Sequence, residues 1–470
     1  MNTVKIFYII TIIFLIGCTS FIQVEAPKDQ LLTSNVFTSD ETAIAALTGI
    51  YIQMAENTVN YNIPMACGYA SDELTCYSTF APLVDLYLNS PRPADAFTNT
   101  FWNNGFFYIY QSNSVIEGCK NSTALNPDVQ RQLISEAHFI RAFWLYYLVN
   151  FYGNIPLVLT SDYKANANIK QASVSEVYSQ ILNDLDFAAT NLNEFYLNGS
   201  SRMTTTERLR PNQSAAKAFL ARVHLSLENW NLAEQFATAI ITKTTMYDTV
   251  AIQQVFLKDN KEAIWQLAEP TPRLLDISTK EAEGFVLFAR PAAGNIKNST
   301  ASSFLLDAFE HGDSRLSNWI GSYSSEGETF LYPNKYKIAR TSSLITEQST
   351  VLRLAEQYLI RAEARFHLGN LEGAKQDINI VRERANLPPI MTVGDTELLS
   401  IIMKERQCEL FSEWGHRWID LKRTGYADQI MPIVLQSKQG GTWLKNMELW
   451  PIPQVDVDRN TSLIQNAGYN

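Results

Sequence analysis

The sequence predicts a mainly α protein in which paired helices form a scaffold and an irregular, loop-rich part binds the ligand. Apolar residues recur every three or four positions over long stretches, which is typical of helices with one buried face. Two helix pairs recur at a fixed offset, and three intervening segments, 60–100, 269–350 and 436–470, lack the helical period. Because loops on a rigid scaffold most often carry binding residues, we expect the ligand contacts in those segments.

The N-terminal residues predict an exported lipoprotein. After Lys5, an apolar run over 6–16 would rise only about 16 Å as a helix, which is too short to cross the hydrocarbon core of a bilayer. The run ends in Leu15-Ile16-Gly17-Cys18, which resembles the lipobox of bacterial lipoproteins. We therefore predict a signal peptide over 1–17 and lipid attachment at Cys18, with the acyl chains as the membrane anchor.

Charge and cysteine content narrow the range of partners. The formal charge of −10 and the isoelectric point of about 5.2 argue against nucleic acid, because binding a phosphate backbone needs a basic face. Only 18% of the residues are charged, so neutral polar side chains must cover much of the surface, which suits neutral ligands. Scattered histidines and the absence of Cys-x-x-Cys predict no metal site, and we expect no cofactor. Cys67 and Cys76 either close a small disulfide-bonded loop or remain buried thiols.

The clearest helical signal begins at Leu133. Its apolar stripe continues through Ala137, Ile140, Trp144, Leu148 and Phe151. Gly153 and Pro156 end this helix. A second helix begins after Ser173 or Ser175, either of which suits the N-cap position, and its similar stripe predicts antiparallel packing against the first.

Two further helix pairs are related by an offset of 141 residues, the separation of Ala221 from Ala362. The pairs span 214–227 with 230–241, and 352–368 with 371–384. Ala221, Leu227, Asn229 and Ala233 align with Ala362, Leu368, Asn370 and Ala374. Small residues thus lie where paired helices approach, as in tetratricopeptide-like units, and generic helical-hairpin packing is the alternative interpretation.

Motifs along the whole chain resemble the SusD/RagB family of bacterial outer-membrane lipoproteins. Near the N-terminus these are Val36-Phe37-Thr38-Ser39-Asp40 and Leu47-Thr48-Gly49-Ile50-Tyr51. The long helix and its exit carry Glu136-Ala137-His138-Phe139-Ile140-Arg141-Ala142-Phe143 and Tyr152-Gly153-Asn154-Ile155-Pro156-Leu157. The C-terminal part carries Arg353-Leu354-Ala355-Glu356-Gln357-Tyr358-Leu359, Gly415-His416-Arg417-Trp418-Ile419-Asp420-Leu421-Lys422-Arg423 and Trp450-Pro451-Ile452-Pro453. Together the motifs span 18–470 in family order.

The resemblance implies a lipoprotein that binds an oligosaccharide or polysaccharide and delivers it to a SusC-like, TonB-dependent outer-membrane transporter. It implies a binding protein, not an enzyme, that is lipid-anchored in the outer membrane and faces the cell surface. It also implies an N-terminal SusD-like region, 18–245, packed as one unit with a C-terminal SusD/RagB region, 246–470. Because some family members bind peptides, a peptide-binding lipoprotein of the same type is the alternative. A purely structural lipoprotein is a third hypothesis.

Two features that suggest catalysis or a metal have simpler interpretations. Asp72 and Glu73 are adjacent, and adjacent residues rarely face one cleft as the carboxylate pair of a glycosidase does. We expect them in a solvated turn, or one of them accepting hydrogen bonds from ligand hydroxyls. Asp313 and Arg315 match an Asp-x-Arg pattern of the family, which implies a salt bridge in a loop.

Two further motifs are expected to pack. The segment 415–423 interleaves basic and apolar residues, but it occurs in family members with different ligands, which implies a packing role. Trp102, Phe106 and Ile109 resemble a scaffold pattern of the family and are expected in the core.

Sugar recognition needs flat rings against the C–H face of a pyranose and polar groups for its hydroxyls, and the irregular segments supply both. The first cluster of candidates comprises Tyr69, Asp72, Glu73, Tyr77, Phe80 and Tyr87. The second comprises Phe285, Phe288, Arg290, Trp319, Tyr323 and Tyr332. Composition and position alone nominate these residues. Trp319 in particular is expected to be a loop aromatic that contacts the ligand.

Overall fold

The computed structural model describes residues 36–57, 59–268, 278–292, 297–339, 345–391 and 394–469. The expected signal peptide and Cys18 lie outside the described residues. The first helices are α1 (Asp40–Glu56), α2 (Val59–Ala70), α3 (Ala81–Tyr87), α4 (Ala96–Asn121), α5 (Pro127–Tyr152), α6 (Tyr163–Asn166), α7 (Val174–Asn191), α8 (Gln213–Ser226) and α9 (Trp230–Ile241). The later ones are α10 (Lys280–Phe285), α11 (Ser303–Leu306), α12 (Ser314–Trp319), α13 (Leu354–His367), α14 (Leu371–Arg384), α15 (Asp395–Leu410), α16 (His416–Arg423), α17 (Ala427–Ser437) and α18 (Gln454–Arg459). The mainly helical prediction is confirmed.

The strands form small antiparallel sheets of two strands each. The pairs are β1 (Leu74–Cys76) with β5 (Ser299–Ala301), β2 (Ile155–Pro156) with β3 (Gln171–Ala172), β4 (Ala263–Leu267) with β8 (Ser349–Arg353), and β6 (Ile320–Ser325) with β7 (Glu328–Pro333). Two of these pairs, β1 with β5 and β4 with β8, join strands that are distant in sequence. Strands β2 and β3 are linked by a segment that contains α6, and in the described part of the chain only β6 and β7 form a tight hairpin. Among the described helices, none is long and apolar enough to span a membrane.

The long predicted helix, α5, has clear start and stop signals. The Asn126 side chain accepts hydrogen bonds from the backbone N–H groups of Asp128 and Val129, and Gly153 ends the helix with a φ of 71°. Of the two candidate caps for the next helix, Ser173 is the one used, in a capping box with Glu176. Helices α4 and α7 both pack against α5. The predicted antiparallel scaffold is therefore present.

The two repeated helix pairs are α8 with α9 and α13 with α14, and α9 packs against α13. Ala221 and Ala233 are buried in one small core cluster, and Ala362 and Ala374 are buried in another, so the aligned small residues lie at the close approaches. Trp230, at the start of α9, stacks on His367 at the end of α13, with ring centroids 3.9 Å apart. This stack joins the corresponding turns of the two units.

The prediction that 60–100 lacks helices is wrong. Helix α2 occupies its start, α3 lies in its middle and α4 begins at Ala96. The apolar residues of α2 show no helical period because the helix is buried on all sides, so no polar face interrupts them. Cys67 lies within α2 as a buried free thiol, and Cys76 is also a free thiol, so the structure contains no disulfide between them.

A buried ion-pair network joins the C-terminal elements. Arg353, at the end of β8, lies 2.5 Å from Glu409, 2.7 Å from Glu413 and 3.1 Å from Glu262. Arg384 pairs with Glu262 and Glu409. Burial alone would raise the pKa of Glu409, but the surrounding guanidinium groups hold it well below its usual value. Glu409 therefore stays charged inside the protein.

Candidate ligand-binding cleft

A surface cleft of about 600 Å³ lies between the β1–β5 pair and the β6–β7 hairpin. We call it the Tyr77 cleft. It is lined by Thr75, Tyr77, Arg290, Pro291, Thr300, Ala301, Leu306, Glu328, Thr329, Phe330 and Leu331. Two of the candidates from the sequence, Tyr77 and Arg290, lie in it.

Strand pairing positions one wall of the Tyr77 cleft. Thr75 and Thr300 are directly opposite each other in the β1–β5 register, so their side chains lie on the same face, and both line the cleft. Leu74 precedes Thr75 and points to the other face, where it is fully buried. Just after the strand, the backbone N–H of Tyr77 donates to the carbonyl oxygen of Asn298 over 2.8 Å. The tyrosine is thus fixed at the cleft by backbone pairing.

The β6–β7 hairpin forms the opposite wall. Its two turn residues, Glu326 and Gly327, have φ values of 55° and 81°, which is the turn geometry whose twist matches paired strands. Phe330 is opposite Tyr323 in the register, and its ring meets that of Tyr77 edge to face with centroids 6.1 Å apart. Gly321 is required because a Cβ there would lie 2.5 Å from the ring of Tyr332. The wall is therefore a pre-formed sheet surface with an aromatic centre.

Arg290 supplies charge at the rim of the Tyr77 cleft. Its guanidinium lies 5.7 Å from the ring centroid of Phe330, within the range of a cation–π contact. It also pairs with Glu326 at 2.6 Å and Glu328 at 2.5 Å. The Arg290 side chain is 45% exposed, so solvent screens these pairs and they contribute little to folding. Their donors and acceptors are available at the surface.

The structure places Asp72 and Glu73 away from any solvated turn. Both are buried, and Asp72 accepts hydrogen bonds from Nε and Nη2 of Arg417 at 2.8 and 2.6 Å. Glu73 accepts a 3.3 Å hydrogen bond from the backbone N–H of Ser412. Burial raises the pKa of the Glu73 carboxyl to about 8, with the neighbouring Asp72 adding to the effect. The expectation of a solvated pair is wrong, and in this structure a ligand in the Tyr77 cleft meets neither carboxyl, because neither lines it.

Tyr69 and Tyr87 pack inside the protein next to the strands. Tyr69 is fully buried, and its hydroxyl bonds with Asn298 Oδ1 at 2.9 Å and Ser299 Oγ at 2.6 Å. Tyr87 is half-buried and meets Tyr69 edge to face. Burial raises the pKa of Tyr87 to about 12. Tyr69 therefore anchors β5 and is inaccessible to a ligand.

The placement of Trp319 in a loop is also wrong. Trp319 ends α12, is 1% exposed, and donates from Nε1 to the carbonyl oxygen of Ile252 over 3.1 Å. Its ring packs against Phe256 within a second hydrophobic core. Phe285 and Tyr332, from the same candidate cluster, are buried as well. A sequence rich in aromatics does not reveal which rings fill the core, and these three do.

The other candidates lie at the surface or on the hairpin. Phe80 is 56% exposed and follows Tyr77 by three positions at the start of α3. Phe288 is partly exposed, with the ammonium group of Lys297 3.7 Å from its ring centroid. Tyr323 is half-buried on the hairpin face that carries Phe330. None of the three lines the Tyr77 cleft.

Sequence reasoning missed the hairpin residues of the Tyr77 cleft, chiefly Glu328 and Phe330. The signal was present, because Glu326-Gly327 separates two short runs of alternating residues, a pattern that predicts a β-hairpin. No sequence pattern predicted the opposite wall, which carries Thr75 and Thr300. Thr75 and Thr300 meet only through pairing of strands that are distant in sequence.

The packing interpretations agree with the structure. Most of 415–423 is buried, with Arg417 holding Asp72. Arg315 pairs with Asp313 at 2.7 Å as expected, but it is buried at the start of α12 and pairs also with Glu405 and Glu409. Trp102 and Ile109 are core residues, and Phe106 is partly buried against the core.

In the described ranges, no group of His, Cys, Asp or Glu side chains is arranged to hold a metal ion.

Comparison with known proteins gives matches over both halves of the chain. Residues 307–469 match the model of the SusD family, and residues 20–225 match a SusD-like model described as starch-binding and associating with the outer membrane. The chain belongs to the SusD/RagB family. The resemblance inferred from the sequence motifs is therefore confirmed.

Individual relatives align with this SusD-family protein over most or nearly all of its length. A SusD-like protein P25 from Formosa agariphila is 24% identical, with 99% of each chain covered. The crystal structure of a SusD superfamily protein from Bacteroides vulgatus superposes with a TM-score of 0.78 at 19% identity, covering 92% of this chain and 99% of the other. The surface glycan-binding protein A from Bacteroides fluxus gives a TM-score of 0.73 at 22% identity, covering 91% and 99%. At these identities, the solved structures establish the fold.

Proposed function

We propose that this SusD-family protein captures an oligosaccharide or polysaccharide in the Tyr77 cleft and delivers it to a SusC-like, TonB-dependent transporter. In this proposal the protein is held in the outer membrane by lipid on Cys18 and faces the cell surface. Regions 18–245 and 246–470 act as one binding unit. The observation that carries the proposal is the Tyr77 cleft itself, where an aromatic pair is bordered by threonines, a guanidinium and the Glu328 carboxylate.

The chemistry of the Tyr77 cleft suits a sugar. The partly exposed ring of Tyr77 offers a face for the C–H side of a pyranose, and Phe330 supports that ring edge to face. Arg290 and Glu328 offer donors and acceptors for hydroxyl groups at the rim. Both walls are built from paired strands, so little conformational entropy is lost on binding.

The family descriptions point in the same direction. The model that matches 20–225 is described as starch-binding and associated with the outer membrane, and a structural relative is a surface glycan-binding protein. We propose binding without turnover. A glycosidase needs two carboxyl groups facing the substrate, whereas Asp72 and Glu73 are buried and held by Arg417 and by the backbone of Ser412.

The test is a calorimetric titration of Tyr77→Ala with α-glucan and β-glucan oligosaccharides. For any glycan that the wild-type protein binds, we expect the affinity to fall on the order of fivefold, because losing one aromatic contact costs about 1 kcal/mol. The melting temperature should change little because Tyr77 is only half-buried. The matched control is Tyr163→Ala, which removes an exposed tyrosine that does not line the Tyr77 cleft.

Three results would count against the proposal. Unchanged glycan affinity in Tyr77→Ala would remove the cleft as the binding site. Binding of peptides but of no glycan would support the peptide-binding alternative. Shorter products after prolonged incubation of a glycan with the wild-type protein, seen by chromatography, would show that the protein is an enzyme.

A further inference from the structure

A second cleft, of about 660 Å³, shares no lining residue with the Tyr77 cleft. Its position is set by the segment between α7 and α8 and by residues close to β4. Arg208, Lys261, Asp259 and the threonines at 204–206 and 245 line it, together with Phe195. We call it the Arg208 cleft.

Arg208 differs from every other buried arginine in the described ranges. Ten arginines are buried there, and nine of them pair with a carboxylate within 4 Å. Arg208 is 6% exposed and has no such pair. Burying a charge without an opposite charge destabilises the folded state. Arg208 is therefore the exception among the ten buried arginines.

The contacts that Arg208 does make are neutral. Nη1 donates to the hydroxyl of Tyr196 over 3.2 Å, and Nη2 donates to the carbonyl oxygen of Met246 over 3.0 Å. The guanidinium lies 5.1 and 5.2 Å from the ring centroids of Tyr196 and Tyr247. Burial holds the pKa of Tyr196 well above its usual value, so that hydroxyl carries no negative charge. These groups orient the guanidinium without neutralising it.

Donors remain for a ligand. A guanidinium has five N–H donors, and these contacts use two of them, while Nε has no partner at all. Lys261 is exposed and forms no ion pair within 4 Å among the described residues. Among the residues that the structure describes, Asp259 is the one carboxylate that lines the cleft, and it forms no ion pair with Arg208 within 4 Å. The cleft therefore has two positive groups facing one negative group, with threonine hydroxyls at its rim.

We propose that the Arg208 cleft binds an anionic group, a carboxylate or a sulfate ester, carried by a sugar. The anion completes the missing ion pair of Arg208 and is also attracted by Lys261. The exposed ring of Phe195, which lines the same cleft, offers a stacking face for the sugar that bears the charge. The sugar in this inference rests on the proposed function. Because Arg208 and Lys261 lie outside the Tyr77 cleft, their variants test this inference separately from that function.

The test compares a glucuronate-containing disaccharide with its neutral glucose counterpart by calorimetry, and inorganic sulfate with chloride at equal ionic strength by thermal shift. The wild-type protein should bind the acidic disaccharide at least about tenfold more tightly than the neutral one, with affinity that falls as salt rises. Because sulfate stabilises folded proteins in general, only sulfate stabilisation that is reduced in Arg208→Gln or Lys261→Ala identifies a free-anion site in the cleft, and binding of the disaccharide without it identifies a site for acidic sugars. Both results support an anion-binding cleft.

Two variants and one control complete the test. Arg208→Gln should abolish the preference for the acidic disaccharide, and Lys261→Ala should weaken it several-fold. Lys258→Ala, which removes an exposed lysine outside the cleft, should leave it unchanged. If Arg208→Gln does not fold, the proposal is tested by Lys261→Ala and by the salt dependence of the affinity for the acidic disaccharide. Equal affinity for the two disaccharides together with sulfate stabilisation that both variants retain in full, or an acidic preference unaltered by Lys261→Ala, would overturn the proposal.

Discussion

The same pairing of arginine with carboxylates occurs in two very different surroundings. At the rim of the Tyr77 cleft, Arg290 pairs with Glu326 and Glu328 while much of its side chain remains in water. Inside the scaffold, Arg353 pairs with Glu409 and Glu413 at similar distances with almost no exposure. The distances are alike, but the cost of separating the charges differs greatly because water is absent in the second case. Burial, not geometry, decides which pair holds the fold.

The largest effect is expected from the buried pair. Arg353→Met removes the shared cation of three carboxylates, and uncompensated buried charge should destabilise the protein by about 3–5 kcal/mol. Urea denaturation or a thermal melt measures this. A loss below about 1 kcal/mol would show that the remaining cations, chiefly Arg384, compensate, and the contrast between the two regions would then fail.

Much of the scaffold was predictable because its signals are local. The stripe through Trp144 and Leu148 predicted α5, and the matched alanines predicted the contact positions of the two repeated pairs. The sequence did not predict helix α2, because the helix is buried on all sides and has no polar face that would produce a helical period. The Tyr77 cleft was predictable only in part, because it depends on β1 pairing with β5, which is distant in sequence. Composition cannot separate an accessible Tyr77 from a buried Trp319.

A second prediction concerns Glu73, which is buried without an ionic partner of its own. Its folded pKa of about 8 lies above the ordinary 4.5, so the folded state holds the proton more tightly than the unfolded state does. This contribution to stability is complete below about pH 4.5 and is lost as the pH rises through about 8. Between about pH 6 and about pH 9, Glu73→Gln should therefore lose less stability than the wild-type protein.

Thermal melts of both proteins across that pH range measure the difference. Glu328→Gln is the matched control, because it alters an exposed carboxylate, and its pH dependence should follow that of the wild-type protein. Identical pH dependence in Glu73→Gln and the wild-type protein would mean that the Glu73 carboxyl titrates normally. The contrast between buried and exposed carboxylates would then be lost at this position.

The smallest effect on stability is expected at the rim. Arg290→Met removes two solvent-exposed ion pairs and should change stability by no more than about 1 kcal/mol. If the proposed function is right, the same variant should lower glycan affinity, since a donor is lost from the Tyr77 cleft. A thermal melt and a calorimetric titration on one preparation separate the two effects. A loss of stability as large as that of Arg353→Met would show that the rim pairs are structural.

The pairing of Asp72 with Arg417 also has a consequence for the timing of folding. The two residues are 345 positions apart, so the carboxylate near α2 has no paired cation until α16 has docked beside it. The N-terminal helices cannot bury Asp72 as a paired charge before that contact forms. A contact between residues so distant in sequence is costly to form, because the long loop between them loses conformational entropy. Closure of the region around α2 is therefore a late event in folding, which follows the docking of α16.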